Sequence, residues 1–390
     1  MSGRLQLLRE WPPGYGGVER VAHELAEHWQ RQGQPCTVFS LAVQRSATMA
    51  VDPLPVSYER ARLPSLVIGR LALPLPARRL WQVLMAPEPL HAHLPCPAVL
   101  SLALLARLLH PKRRISLHWH SFLEPSPTPA GRLYGLYQRL ALAALPLFRL
   151  VITTSPALAK ALRASGMPAD RVQVLPCCLP DAVEQAAYAA GAKGSKPHSS
   201  EVFRLISIGR LDSYKRVDWV IESLGHLRQR EPLLRLQLDV VGDGPDRAAL
   251  EALAVLRAPG QVQFHGRVDE ATKQNLLRQA DLLVLAADRS NEAFGIVQLE
   301  AMAFAVPALA FKRARSGMHW VSALSCMPWD GTPSELAPTI AMLALSPELH
   351  AQARREASQR YRAIFGRLTW LKSVAVCFAA DQPGSLQNRQ

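Results

Sequence analysis

A chain of 390 residues, 49% hydrophobic and 19% charged, is long enough for two domains of ordinary size, too apolar to stay disordered, and not a small stapled scaffold. Its formal charge of +14 is uneven: residues 1–200 hold 22 Lys+Arg against 11 Asp+Glu, and residues 201–390 hold 23 against 20. The six cysteines make no Cys-x-x-Cys pair, which argues for a reducing compartment, and neither a signal-type apolar run nor a stretch of about twenty apolar residues is present to expect a membrane span.

A basic first half expects an anionic partner beyond mere solubility. An acidic bilayer suits it, since each Lys or Arg near the lipid contributes about 1 kcal/mol. No aromatic stacking motif or recognition helix accompanies the charge, so nucleic acid is set aside.

Hydrophobic periodicity gives the elements in chain order. A strand is expected at residues 5–8, then the loop WPPGYGG, a helix from Val18 to about Gln32 and a strand at 37–41. Residues 49–114 are studded with proline and show no readable rhythm. Order returns with strand 115–118, a helix over roughly 133–145, strand 150–153, helix 156–164 and strand 172–175. Residues 186–200, AAYAAGAKGSKPHSS, have linker composition and mark a domain boundary. Beyond it come strand 203–208, helix 216–228, strand 236–241, helix 245–256, strand 262–265, helix 270–280, strand 282–286, helix 294–304 and strand 308–311. A helix after every strand predicts parallel, doubly wound sheets, so the fold class is α/β with two Rossmann-like domains.

Several loops at strand ends carry candidate chemistry. Gly14, Gly16 and Gly17 close the first strand and open a helix, where bare amides and the helix dipole suit a phosphate, with a plain tight turn as the equal alternative. A dinucleotide fingerprint would need glycine where Glu19 stands, so a nicotinamide cofactor is not expected. His91-x-His93 and His118-Trp119-His120 are two paired histidines without a carboxylate or cysteine at ligand spacing. No metal site is expected, and one histidine donating to a phosphate or sugar oxygen fits better than zinc, with a core histidine as the plain alternative.

In the second half, Gly209-Arg210-Leu211 and Lys215-Arg216 place two cations at the end of a parallel strand, suited to a diphosphate, with a solvated basic turn as the rival reading. Val241-Gly242-Asp243-Gly244-Pro245 is another strand-to-helix loop. The strongest constellation runs from Asn291 to Ala301: Glu292 lies before a helix, Glu300 lies two turns inside it, and the amides of Phe294, Gly295 and Ile296 are free to donate. Carboxylates beside amide donors suit the hydroxyls of a sugar; a solvated helix end is the rival reading. No Asp-x-Asp pair, Walker A loop, Gly-x-Ser-x-Gly elbow or His-Glu-x-x-His is present.

Gly16-Gly17-Val18-Glu19-Arg20, His120-Ser121, GRLDSYKRVDWVIESL, VGDGP and EAFGIVQLEAMA together resemble glycosyltransferase family 4, the retaining nucleotide-sugar transferases of GT-B type, over nearly the whole chain. The resemblance implies two Rossmann-like domains facing each other across a cleft. These are residues 1–190, facing acceptor and membrane; residues 200–364, holding the donor; and residues 365–390, a terminal helix crossing back to the first domain. It implies that Gly16 and Gly17 face the donor diphosphate, Arg210 and Lys215 neutralise it, Glu300 binds the ribose, and Glu292 with the amides of Phe294, Gly295 and Ile296 holds the donor sugar. His120 would touch that sugar near the scissile bond. No cofactor or metal is implied, since Arg and Lys stand in for the cation.

The expected activity is transfer of a hexosyl unit, mannose favoured, from a UDP- or GDP-sugar to a lipid-linked or polysaccharide acceptor in cell-envelope synthesis. The expected place is the inner face of the cytoplasmic membrane, held there through the basic first half. Two departures motivate rivals. Phe122 stands where relatives often have aspartate, and Cys177-Cys178 replaces a usual glycine-containing turn. A nucleotide-sugar epimerase of the same fold and a catalytically silent membrane-bound partner are the alternatives.

Overall fold

The computed structural model describes residues 3–10, 16–41, 56–68, 71–124, 128–192, 202–327 and 329–379. Two compact units divide the chain: Met1–Cys177 with Lys372–Gln390, and Cys178–Leu371.

The first unit is built on a seven-stranded parallel sheet. Its strands are β1 (Arg4–Leu8), β2 (Cys36–Leu41), β3 (Glu59–Leu63), β6 (Leu90–Leu94), β7 (Ile115–Trp119), β8 (Leu150–Thr153) and β9 (Val172–Val174), in the order β3-β2-β1-β6-β7-β8-β9. Strands β1, β6 and β7 are buried along their whole length, as a parallel sheet covered on both faces requires. The amphipathic helix α1 (Gly17–Arg31) crosses from β1 to β2 and buries Val21, Ala22, Leu25, Ala26 and Trp29.

The proline-studded stretch resolves into short pieces. An antiparallel hairpin of β4 (Ser65–Ile68) and β5 (Leu71–Pro74) is followed by helix α2 (Arg78–Met85), strand β6 and helix α3 (Pro97–Leu109). Pro97 opens α3 at a position where its missing N–H costs nothing. Helices α4 (Pro129–Ala144) and α5 (Pro156–Ala164) begin on proline in the same way, capped by Thr128 and Ser155.

The second unit carries a five-stranded parallel sheet in the order β12-β11-β10-β13-β14. The strands are β10 (Phe203–Ile208), β11 (Leu236–Val241), β12 (Val262–Gly266), β13 (Leu282–Leu285) and β14 (Ala308–Ala310). Helices α7 (Val217–Arg230), α8 (Arg247–Arg257), α9 (Glu270–Gln279) and α10 (Ile296–Ala303) follow β10 to β13 in turn.

The unit boundary falls earlier than the expected 190–200. Residues Asp181–Ala192 form helix α6, not linker, and Glu184 on it accepts from Tyr361 Oη at 3.0 Å and from the Arg367 amide at 2.9 Å. These bonds fasten α6 within the second unit; the rest of the expected linker, 193–200, lies outside the described residues. Helix α14 (Arg367–Cys377) leads into the segment that the division assigns to the first unit. There Phe378 meets Trp29 and His91 edge-on, and the Arg4 guanidinium lies over the Trp29 ring.

Four histidines form a ladder inside the first sheet. His91 and His93 share one face of β6, and the register sets His93 beside His118 and His91 beside Ser116. His93 Nε2 lies 2.8 Å from Gln6 Oε1, and its Nδ1 lies 2.9 Å from His120 Nε2. Gln6 spends its own amide nitrogen on the Ala22 carbonyl, so His93 must donate through Nε2 and accept at Nδ1 from His120. His91 bonds Ser116 Oγ at 2.8 Å and His118 Nδ1 at 3.3 Å.

Burial, followed by repulsion among the rings, lowers the His91 pKa to about 3; burial alone takes His120 to about 3, and His93 and His118 also fall well below the usual range. The folded chain therefore refuses protons that the unfolded chain accepts. Stability is full above pH 6.5 and is lost as pH falls toward 3. Between pH 7.5 and 5.5 each neutral histidine should cost about 1.4 kcal/mol of stability. Urea unfolding at the two pH values, with His118→Gln alongside, should show a steep fall that the variant lessens; equal stability at both would refute the ladder's neutrality.

Candidate functional site

In the second sheet the strand order reverses between β10 and β13, and the chain leaves those two strands toward opposite sides. Such a switch point opens a crevice at the carboxyl ends of the strands. The loop after β10 is held there by backbone bonds: Gly209 N–H donates to Val241 at 2.9 Å, Leu211 N–H to Asp243 at 3.1 Å, and Asp246 N–H to Leu211 at 3.1 Å. Gly242 has φ +133°, and a Cβ on it would come within 1.8 Å of the Gly209 carbonyl oxygen. Only glycine allows the two loops to lie this close.

Lys215 and Glu292, from the loops after β10 and β13, form a direct ion pair, and both side chains are largely buried. The Asp288 amide donates to the Tyr214 carbonyl at 2.9 Å and ties the same two loops together. Burial alone would lower the Lys215 pKa, but Glu292, Tyr214 and Asp212 outweigh it, so the pKa is raised and the ammonium stays charged. Arg210, by contrast, is 69% exposed, with its Nε 3.1 Å from Asp212 Oδ2. Its neighbour in charge, Arg216, is spent on structure: it forks onto Asp218 and lies 4.0 Å over the Trp219 ring.

Helix α10 begins at Ile296, not at Phe294 as expected, because Gly295 adopts φ +74°. A Cβ there would meet Leu285 Cδ2 at 2.4 Å and Gln298 Nε2 at 2.8 Å. Among the described residues, the amides of Phe294, Gly295 and Ile296 donate to no protein acceptor, whereas the Phe294 carbonyl accepts from Gln298 Nε2 at 2.8 Å. Three donors are thus left at the turn beside Glu292. The loop at 315–321 braces this turn: Ser316 Oγ donates to the Glu292 carbonyl at 2.7 Å, and the Gly317 amide to Ala293 at 2.7 Å.

Glu300 is 2% exposed, with Lys273 Nζ 3.0 Å from its Oε1 and equally near Glu270 Oε2. The two glutamates of the motif thus have separate partners, Lys215 and Lys273. Sequence reading missed Lys273; its only signal was a lysine one turn into a helix, which any solvated face shows. Ser316 was missed as well.

In the first unit the switch point lies between β1 and β6. Gly16 and Gly17 follow β1, while residues 11–15, including Gly14, lie outside the described residues. Glu19 folds back onto Gly16, where a Cβ would come within 2.1 Å of Oε2. A carboxylate thus already faces the helix start that was read as a phosphate cradle. His120 follows β7 and is buried; its Nε2–H serves His93, so a neutral ring offers only Nδ1, an acceptor. That corrects the expected donor role: Nδ1 suits a hydroxyl, not a phosphate oxygen.

Phe122 is fully buried against Trp119 at 5.4 Å, which gives the departure from aspartate a packing reason. Cys177 and Cys178 are buried thiols, and Cys178 Sγ accepts from Arg367 Nη1 at 3.8 Å. One nitrogen each of His91, His93 and His118 lie within 4.8 Å of one another, a spacing the sequence reading did not foresee. A dication there would face neutral ligands in a dry core, a costly place for uncompensated charge.

The Lys273–Glu300 pair makes a sharp stability test. Lys273→Met leaves a buried carboxylate and should cost about 3–5 kcal/mol in urea unfolding. Adding Glu300→Gln should recover most of the loss; no recovery would refute the pair.

Comparison with known proteins places these loops in a family. A family described as Glycosyltransferase Family 4 matches residues 15–182, and one described as Glycosyl transferases group 1 matches residues 192–360. The chain is 25% identical over 305 residues to the O-antigen chain mannosyltransferase C of Escherichia coli, covering 77% of this chain and 76% of the relative. It is 29% identical over 130 residues to the D-rhamnosyltransferase WbpZ of Pseudomonas aeruginosa, covering 32% and 34%. Anabaena Alr3699/HepE, solved in complex with UDP, superposes with a TM-score of 0.73 at 17% identity over 97% of this chain and all of that one. The lipopolysaccharide outer core galactosyltransferase WaaB superposes at 0.67 with 14% identity over 98% and 100%, a likeness of fold. With both halves matched and both sheets wound in the Rossmann manner, the chain belongs to the family 4 glycosyltransferases of GT-B fold.

Proposed function

We propose that this glycosyltransferase moves a hexosyl unit, with mannose favoured, from a nucleoside-diphosphate sugar to a lipid-linked or polysaccharide acceptor of the cell envelope, with retention at the anomeric carbon. The observation that carries the reading is one cluster at the second unit's switch point: exposed Arg210, the Lys215–Glu292 pair and the open amides of residues 294–296. A diphosphate needs cations, and a sugar needs acceptors and donors together; both are present within two adjoining loops.

In this reading Arg210 meets the diphosphate first, and Lys215 adds a charge that Glu292 keeps in place. As the bond to the anomeric carbon breaks, negative charge grows on the departing diphosphate, and the two cations stabilise it without a metal. Glu292 and the amides orient the sugar hydroxyls, and Glu300, fixed by Lys273, is assigned to the ribose. In the first unit, Gly16, Gly17 and His120 stand at carboxyl ends of strands, where open α/β sheets take their ligands.

The mannosyl preference and the cell-envelope acceptor draw on the mannosyltransferase relative, 25% identical over 77% of this chain. No helix among the described residues is long and apolar enough to cross a membrane. Contact with the cytoplasmic leaflet is therefore assigned to the surface of the basic first unit.

Calorimetric titration of the purified chain without divalent metal, against UDP, GDP, ADP and their common sugars, tests the reading. One nucleotide class should bind selectively, and Arg210→Ala should weaken it about tenfold or more, the worth of a charge-assisted bond. Glu292→Gln should abolish transfer and also weaken nucleotide binding, since Lys215 then loses the partner that keeps it in place. If a donor is consumed without any acceptor, the epimerase reading gains; if no nucleotide binds, the silent-partner reading replaces this one.

A further inference from the structure

Between Glu59 and Glu88 the chain has five arginines, at 60, 62, 70, 78 and 79, and no acidic residue. The same stretch holds the hairpin β4–β5, a two-stranded sheet of its own. Its register pairs Leu66 with Leu73, Val67 with Ala72 and Ile68 with Leu71. Opposed residues share a face, so Leu66, Ile68, Leu71 and Leu73 make one face, and Val67 and Ala72 the other. Ala72 is buried and β5 packs on α3, so the second face turns to the protein body at Ala72, while Val67 opposite it stays 39% exposed and adds to the open apolar surface.

The outer face is the anomaly. An antiparallel hairpin with one side on a core normally turns polar residues to water. Here Leu66 is 51% and Ile68 58% exposed, and Leu73 is also open. Helix α2 continues the surface: Arg78, Trp81, Gln82 and Met85 fall on one stripe at helical spacing, while Val83 and Leu84 are buried behind it. Trp81 is 58% exposed. Arg78, Arg79 and Gln82 line a shallow cavity of about 470 Å³.

Leucine and isoleucine beside tryptophan and arginine, with no carboxylate between, is the composition of an element lying at a lipid–water boundary. The apolar side chains enter the acyl edge, Trp sits at headgroup level, and Arg meets phosphate. A protein partner would be selected by mixed charge; an unbroken positive stretch complements an anionic sheet. We infer that the hairpin β4–β5 and the exposed stripe of α2 form the surface by which this enzyme docks on an anionic bilayer, with Arg78 and Arg79 taking lipid phosphate. This deepens the reading above, on whose membrane assignment it rests, by naming the element that makes the contact.

The test uses the full chain and vesicles of phosphatidylcholine with or without about one third phosphatidylglycerol, an anionic fraction chosen to raise the surface potential. The wild type should sediment with the anionic vesicles at low salt and be released at high salt, as screening removes the arginine term. Both L66D/I68D and R78E/R79E should lower the partition coefficient at least tenfold, and Val255→Asp, on an exposed apolar position of the second unit, should not. The hairpin substitutions lie on an open face, and unchanged nucleotide titration and thermal unfolding confirm that they leave the fold intact.

Wild-type binding by both double variants would overturn the docking surface, as would equal binding to neutral vesicles. A concentration-dependent dimer that L66D/I68D dissolves would assign the patch to a second copy instead. Lost vesicle binding with intact nucleotide affinity in the variants supports the docking surface, whereas absent nucleotide affinity in the wild type counts against the transferase site alone.

Discussion

The ion pair between Lys215 and Glu292 joins the two loops that leave the second sheet on either side of its switch point. Two charges in a largely buried place are costly to hold unless each satisfies the other. Their meeting depends on the close approach of the strand-end loops, which depends in turn on Gly242 having no Cβ and on Gly295 turning through a left-handed conformation. The chemistry of the site is thus set by backbone geometry before any side chain is placed. The pair is neutral overall, and Arg210, beside Asp212, is the cation of the two that stands open to solvent.

The first unit solves the opposite electrostatic problem. Its strands bring four imidazoles into a dry sheet, and burial keeps them neutral by withholding protons. Among its cations, Arg78 and Arg79 at the start of α2 stand on the surface.

How much of this was legible in the sequence follows from what each signal encodes. Six-residue, mostly apolar segments such as 203–208 and 236–241 are flanked by helical periods, and they fold as β10 and β11 at those bounds. The region 49–114 hid its elements because four-residue hairpin strands and an eight-residue helix are shorter than a periodic window, the thirteen residues of α3 are apolar nearly all round, and its prolines mark helix starts as well as breaks. Lys215 and Glu292 were visible as candidates, but their pairing across 77 residues was not, since it depends on strand order. Lys273 had no signal beyond that of a solvated helix face. His120 was visible, but its hydrogen-bonding role was not, because that is fixed by Gln6 and His93 from other strands. Phe122 looked like a lost functional residue and is a core residue.

The central claim is that the two loops at the second unit's switch point close on a nucleoside diphosphate. Hydrogen–deuterium exchange of the full chain, with and without the nucleotide sugar that calorimetry selects, reads it directly through the amides of 209–216 and 292–298. The account predicts that both segments gain protection together on binding, because the open amides of 294–296 acquire an acceptor and the Lys215 loop is held from both sides. Protection confined to other segments, or absent at saturating donor, would contradict it.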